Sequence, residues 1–348
     1  MNIYPNKVSI GDTVGLVLPS SPITMSELAK VTNVLDELNL KYRIGQHALE
    51  AVEDFSAIQN SIDSLSARNI IPCTRQNNFD NYTASGYLAG SPEDRAEDIN
   101  TFFADDSIKA IWCLRGGYGS VQVIPYLDFE LIKRCPKQFA GYSDITNLLI
   151  AINQQCNLIT YHAPMITPNF TRGDLLNVDG SFDGFTYHYF KQLLMADWQE
   201  VIIQANNSYN FTASRTITAP IIGGNLSELA WLMGTSYAPL TDGHIVFIEE
   251  VRTHVVNCDM ALTQLERAKF FNNIKGLIIG DFLNCQNHTG NDKCQNWGIE
   301  RVLKNHFKNA PYPIMTGVKI GHDKQTVTIP IGAPATLDAA TNTITIHR

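Results

Sequence analysis

Residues 138–152 read QFAGYSDITNLLIAI, and this stretch decides the fold. Residues 138–141 form a run of strand length, and apolar residues at helical spacing follow from Ile145 to Ile152. A strand that passes through a short turn into a helix is the repeating unit of sheets with parallel strands. We therefore predict an α/β fold here, with Ser143 in the turn.

The same alternation extends towards the N-terminus. Buried strands are predicted at 13–18 and 109–114, and a helix is predicted over 25–38. Together these elements predict a mainly parallel sheet with helices on both faces. Ligands bind at the carboxyl ends of the strands in such sheets. We therefore expect the turn at Ser143 and the glycine-rich turn at 115–119 to face one cleft.

The second half of the chain has a different character. Turn residues recur in the middle of the chain, followed by a strand at 243–250 and period-two alternation at 326–330 and 343–346. This pattern predicts a smaller α+β or barrel-like C-terminal domain. The predicted limits are 1–165 for the N-terminal domain, 166–215 for a connector and 216–348 for the C-terminal domain.

The charge balance argues against two classes of partner. The chain has 348 residues, with 26 Lys and Arg against 34 Asp and Glu, a formal net charge of −8. Sequence-independent binding to nucleic acid or to an anionic membrane surface needs clustered positive charge, and no basic run is present. Apolar stretches are of strand length, shorter than the roughly 20 residues of a membrane-spanning helix. We expect neither partner.

The cysteines and the N-terminus point to a reducing compartment. The seven cysteines are scattered and odd in number, which does not fit a disulfide framework. Residues 1–7 have neither the basic nor the apolar region of a secretory signal. We therefore expect a cytoplasmic protein.

Three polar positions at predicted strand ends are candidates for chemistry. Ser143 is either a nucleophile presented by the turn or an ordinary helix N-cap. Glu249 and Glu250 end an apolar strand, and they are either functional acids or the point where the chain returns to water. His322 follows Gly321, which allows close approach to another loop, and its alternative is an ordinary loop histidine among nine.

Two other features are weaker candidates. The glycines at 116–119 lack the spacing of the known nucleotide-binding motifs. Cys285, His288 and Cys294 have a spacing that a metal site can use, but a polar surface loop is the preferred interpretation. Residues 48–85 are predicted to be a helix-containing excursion.

Five short motifs occur in an order that resembles a known family, the L,D-carboxypeptidases, which are serine peptidases and include the microcin C immunity peptidases. The motifs are RGGYG at 115–119, GYSD at 141–144, GGNLS at 223–227, FIEE at 247–250 and GH at 321–322. The resemblance implies a parallel-sheet N-terminal domain, a smaller C-terminal domain and an active site between them.

The resemblance also implies roles for individual residues. Ser143 corresponds to the nucleophile, Glu249 rather than Glu250 to the acid, and His322 to the base. The backbone N–H groups of Asp144 and Gly117 correspond to the oxyanion hole. No metal or organic cofactor is implied.

The activity implied by the resemblance is cleavage of a murein tetrapeptide. The bond cut joins an L-centre to the terminal D-amino acid during cytoplasmic recycling of the cell wall, and a homodimer is implied. One alternative is a microcin-immunity type of peptidase that cleaves aminoacyl-nucleotides or acyl-sulfamate adenylates. Another is a non-catalytic binding protein, against which the presence of all three triad residues argues.

Overall fold

A computed structural model describes residues 2–50, 87–170, 183–209, 216–286 and 298–348. Most of the predicted excursion at 48–85 lies outside these residues, as do His288 and Cys294. No helix in the described ranges is long and apolar enough to cross a membrane.

The strands of the first half are short, and all except β2 are largely buried. They are β1 (Thr13–Val17), β2 (Lys41–Ile44), β3 (Ile108–Cys113), β4 (Gln138–Gly141) and β5 (Thr160–His162). The later strands are β6 (Glu200–Gln204), β7 (Asn207–Tyr209), β8 (Thr216–Asn225), β9 (Ile245–Val251), β10 (Gly276–Leu283), β11 (Ile314–Thr316), β12 (Ile329–Ile331), β13 (Pro334–Asp338) and β14 (Thr343–His347).

Helices connect most of these strands. The α-helices are α1 (Met25–Glu37), α2 (Gln46–Glu50), α3 (Pro92–Ala104), α4 (Ser120–Val123), α5 (Phe129–Arg134), α6 (Thr146–Cys156), α7 (Ile166–Phe170), α8 (Gly184–Leu194), α9 (Leu226–Leu232), α10 (Val255–Arg267) and α11 (Ile299–Phe307). Single turns of 3-10 helix occupy Ile124–Tyr126 and Ser143–Ile145.

The first sheet has the order β12-β5-β4-β3-β1-β2. Its strands are parallel except β12, which pairs antiparallel to β5 at the edge. The strand order reverses between β1 and β3, and ligand sites of such sheets lie at that point, outside the carboxyl ends of the strands. Those ends lead into Ser20, the glycines at 116–117, Ser143 and His162, so these residues share one edge.

The second sheet has the order β6-β14-β13-β8-β9-β10-β11-β7. Its central strands β8 to β11 are parallel and its outer strands are antiparallel. The register pairs Asn225 with Glu249, so these polar residues lie side by side at the carboxyl ends of β8 and β9. The predicted fold class, α/β with a mainly parallel N-terminal sheet and a second domain, is confirmed.

The domain limits stay a prediction, and the structure differs from them in detail. The predicted connector at 166–215 contains α8 and also β6 and β7, which form the two edges of the second sheet. Conversely, β12 comes from the C-terminal part and pairs with the first sheet. In the described residues the second sheet has eight strands and the first has six. Edge strands of three to five residues depend on long-range pairing, which local sequence patterns do not reveal.

The two sheets meet at their carboxyl edges, around the start of α6. The Asn225 N–H donates to Thr146 Oγ1 at 3.1 Å, and Asn147 Nδ2 donates to Glu228 Oε2 at 2.6 Å. Both bonds join the first half of the chain to the second and are buried. They hold the start of α6 against the end of β8 and the first turn of α9.

Candidate active site

Ser143 lies in a strained turn between β4 and α6. Its φ is 63°, the left-handed region that residues other than glycine seldom adopt. Its hydroxyl makes no hydrogen bond with any described residue, and the N-cap residues are Tyr142 for the 3-10 turn and Ile145 for α6. The N-cap alternative is therefore wrong. Strain in a strand–turn–helix serine is typical of a nucleophile held out from the sheet.

The glycine-rich turn after β3 packs closely against this serine. A Cβ atom at Gly116 would lie 3.2 Å from Ser143 Cβ and 3.4 Å from the carbonyl oxygen of Tyr142, so a glycine suits this contact. The backbone N–H groups of Gly117 and Asp144 donate to no described residue. Both groups are available for an oxyanion, and their assignment to that role remains a prediction.

The side chain of Asp144 stabilises the turn through buried hydrogen bonds. Asp144 is buried, and its Oδ2 accepts from Ser20 Oγ at 2.5 Å and from the Ser120 N–H at 2.8 Å. Burial raises the pKa of this carboxyl, and these donors act against the increase. The carboxyl thus ties the loop after β1 and the start of α4 to the turn, and the Ser120 hydroxyl also donates to the Asp144 carbonyl oxygen.

Glu249 and His322 form a hydrogen-bonded pair. Glu249 Oε2 lies 2.7 Å from His322 Nδ1, with Glu249 fully buried and the His322 side chain 14% exposed. Burial opposes ionisation of Glu249, but His322 and His162 outweigh it and lower the pKa of Glu249 to about 2. The carboxylate is therefore ionised at neutral pH and can orient and stabilise an imidazolium.

Gly321 permits this pairing. It has φ +135°, and a Cβ atom there would lie 2.9 Å from Glu249 Oε2. A residue with a side chain would therefore push the two loops apart. The same Cβ atom would lie 3.5 Å from Cβ of Asp281, whose pKa burial raises to about 7. Lys319 Nζ, 3.9 Å from Asp281 Oδ1, is the cation facing this acid.

Glu250 has a different task from its neighbour. Its carboxylate accepts from Asn225 Nδ2 at 3.0 Å, from the N–H and Oγ of Ser227 at 3.0 and 2.5 Å, and from the Val251 N–H at 2.8 Å. It therefore holds the start of α9. Both acids are buried, at 0% and 2% exposure, so the alternative that the chain returns to water here is wrong.

The turn that contains Ser143 and the turn that contains His322 lie in contact, but the two side chains are not hydrogen-bonded to each other. The ring centroids of Tyr142 and His322 are 4.6 Å apart, so the imidazole lies against the neighbour of Ser143. No hydrogen bond links Ser143 Oγ to His322 in the described structure. Nucleophile–base bonds of unliganded enzymes are often long and shorten with substrate bound.

His162 was not among the residues predicted from the sequence. It lies at the carboxyl end of β5, is 1% exposed, and has its Nε2 3.9 Å from Glu249 Oε1. The signal available in the sequence was a histidine at the end of a short apolar segment. A histidine in that position does not by itself indicate an active-site residue. Its relevance follows from the pairing of Gly141 with His162, which places β5 beside the strand that leads to Ser143.

A possible cation site lies apart from these residues. Among the described side chains, ligand atoms of His47, Asp94 and Glu97 lie within 4.8 Å of one another on α2 and α3. Cys285 is buried, while the other two members of the predicted cysteine–histidine spacing are outside the described residues.

A buried acid beneath the nucleophile turn gives a testable stability effect. Burial, and then the charge of Asp144, raises the pKa of Glu228 to about 9. A carboxyl with a raised pKa stabilises the fold below its unfolded pKa, and that contribution is lost as pH rises towards 9. Glu228→Gln, a neutral analogue that can still accept from Asn147, should therefore remove part of the alkaline destabilisation.

Urea unfolding at pH 6 and pH 9 checks this expectation. Between these pH values the wild type should lose on the order of 4 kcal/mol more unfolding free energy than Glu228→Gln. Equal losses in the two proteins would contradict a neutral Glu228.

Comparisons with known proteins point to one family. Family models match as LD-carboxypeptidase N-terminal domain over residues 50–163 and as LD-carboxypeptidase C-terminal domain over residues 218–337. The probable murein peptide carboxypeptidase of Bacillus subtilis (strain 168) is 29% identical over 347 residues, 100% of this chain and 95% of that protein.

Two solved structures share the fold. The muramoyltetrapeptide carboxypeptidase from Oxalobacter formigenes matches with a TM-score of 0.74 and 22% identity, over 96% of this chain and 99% of that chain. MccF in complex with glutamyl sulfamoyl guanosine matches with a TM-score of 0.77 and 21% identity, over 99% of this chain and 98% of that chain.

Proposed function

The chain belongs to the LD-carboxypeptidase family, as its motifs predicted, and we propose that it is a serine peptidase acting on murein tetrapeptides. The bond cleaved joins an L-centre to the terminal D-amino acid. The observation that carries the proposal is the hydrogen-bonded pair of buried Glu249 and partly exposed His322, 2.7 Å apart, beside the strained turn of Ser143.

In the first half of the reaction Ser143 is acylated. His322 Nε2 accepts the proton of Ser143 Oγ, which attacks the carbonyl carbon of the scissile amide. The ionised Glu249 stabilises the imidazolium through Nδ1. The N–H groups of Gly117 and Asp144 donate to the oxyanion of the tetrahedral intermediate. The intermediate collapses as His322 returns the proton to the leaving nitrogen, and the D-amino acid departs.

In the second half water releases the shortened peptide. His322 takes a proton from a water molecule that attacks the ester carbonyl, and the same N–H groups stabilise the second oxyanion. Collapse breaks the ester bond, and the proton passes from His322 to Ser143 Oγ. Every proton transfer is thus assigned to one imidazole, which Glu249 keeps in a single orientation.

The murein substrate is favoured over the substrate of the immunity peptidases. The Bacillus subtilis relative named as a probable murein peptide carboxypeptidase is similar along the whole chain. Glu249 follows Ser143 by 106 positions in the sequence, which leaves less room for the extra loop of the immunity peptidases. The two solved structures share only the fold with this chain, so they do not discriminate. A cytoplasmic homodimer is part of the proposal.

Release of D-alanine tests the proposal. Incubation with murein tetrapeptide should yield tripeptide and free D-Ala, and a tetrapeptide ending in L-Ala serves as the matched control and should be cleaved at least about tenfold more slowly. Cleavage of aminoacyl sulfamoyl adenosine with no D-Ala release would instead favour the immunity-type activity. No hydrolysis of either substrate would contradict the proposed function.

A further inference from the structure

Glu249 has one oxygen that the triad does not use. Oε2 accepts from His322, whereas Oε1 is buried and has no hydrogen-bond partner among the described residues. A buried carboxylate oxygen without a hydrogen-bond donor destabilises the folded protein. A second donor for this carboxylate is therefore expected close by.

His162 is the polar side chain that faces this oxygen. Its Nε2 lies 3.9 Å from Glu249 Oε1, and neither of its ring nitrogens has a hydrogen-bond partner among the described residues. The separation is too short for a water molecule to bridge the two atoms in line. A shift of about 1 Å would bring the nitrogen and the oxygen to hydrogen-bond distance.

Aromatic neighbours fix the plane of the His162 ring. The Phe247 ring packs edge-to-face on it with centroids 5.1 Å apart, and the Tyr142 ring does so at 5.8 Å. His162 and Tyr142 belong to the first half of the chain, while Phe247 and Glu249 lie on β9 of the second sheet. The contact between His162 and Glu249 thus joins the two halves of the site.

We propose that His162 is a positioning residue: its Nε2–H donates to Glu249 Oε1 and so holds Oε2 against His322 Nδ1. The inference rests on the proposed function, because it gives His162 a task within that triad. The proposal requires a proton on Nε2, the ring nitrogen that faces Glu249 Oε1. Glu249 then has one donor on each oxygen, which restricts its rotation.

Two substitutions separate hydrogen bonding from packing. His162→Phe keeps an aromatic ring between Tyr142 and Phe247 but has no donor, and His162→Gln restores an N–H donor at similar reach. We expect His162→Phe to lower kcat on murein tetrapeptide about 10- to 100-fold with KM changed less than about twofold. His162→Gln should recover most of the loss. His188→Phe, on the exposed face of α8, is the matched control and should leave both constants unchanged.

The protonation state of the wild-type ring gives a readout that needs neither variant activity nor substrate. In nitrogen-15 histidine NMR spectra of the whole protein, His162, assigned by the signals absent in His162→Gln, should carry a proton on Nε2. An unprotonated Nε2, an unimpaired His162→Phe, or a His162→Gln no better than His162→Phe would each overturn the proposal. A wild-type protein that releases no D-Ala would refute the proposed function instead, and the spectrum would still decide the role of His162.

Discussion

Ser143→Ala is expected to lower kcat on murein tetrapeptide by on the order of 10⁶-fold. The variant lacks the only atom that can form the acyl-enzyme, while the oxyanion donors and the binding site remain. Alanine also carries a Cβ, so the strain at φ 63° is unchanged and no hydrogen bond is lost. The free energy of unfolding should therefore change by less than about 1 kcal/mol.

Steady-state kinetics with purified protein and urea unfolding check both parts of this expectation. Ser236→Ala, at an exposed position after α9, is the matched control and should retain full activity. A Ser143→Ala protein that keeps more than a few per cent of the activity would rule out the serine mechanism.

The second large effect distinguishes two adjacent acids. Glu249→Gln keeps the shape of the side chain but removes the charge that stabilises the His322 imidazolium, and kcat should fall by about 10³- to 10⁴-fold. Glu250→Gln leaves the triad intact but weakens the bonds to Asn225 and Ser227. It should therefore lower kcat by less than about tenfold and reduce stability by about 1–3 kcal/mol.

The pH dependence of stability gives an independent control for Glu249. Its folded pKa of about 2 lies below the ordinary value of 4.5, so its contribution to stability is present above about pH 4.5 and is lost as pH falls towards 2. Glu249→Gln should lack this part of the acid destabilisation. A larger loss of kcat in Glu250→Gln than in Glu249→Gln would move the acid of the triad by one residue.

Local sequence patterns were sufficient to predict the strands and turns that carry the site residues. The apolar run before Ser143 and the one before Glu249 each predicted a buried strand that ends at a polar residue, and the structure has β4 and β9 there. Gly321 before His322 correctly indicated a close approach between loops. These features depend on neighbours in the sequence, which is why they could be read from it.

Features that depend on which strands pair with each other could not be predicted from local sequence patterns. The three residues of β12 pair with β5 of the first sheet, although they come from the C-terminal part of the chain. Strand β6 pairs with β14 at an edge of the second sheet. Neither short segment contains a sequence pattern that indicates its partner strand. The same holds for His162, whose place beside Glu249 follows from the pairing of β5 with β4 and from the contact between the two sheets.

The acyl-enzyme on Ser143 is the central claim, and mass spectrometry of the intact protein tests it most directly. Wild-type protein quenched with acid during turnover of murein tetrapeptide should contain a species heavier by the tripeptide less one water, and peptide mapping should locate the added mass on Ser143. The same measurement is made on two variants. Glu249→Gln should react more slowly but still form the adduct, and Ser143→Ala, which lacks the nucleophile, should form none. Turnover with no adduct at Ser143 in the wild type or in Glu249→Gln, or an adduct that persists in Ser143→Ala, would contradict the account.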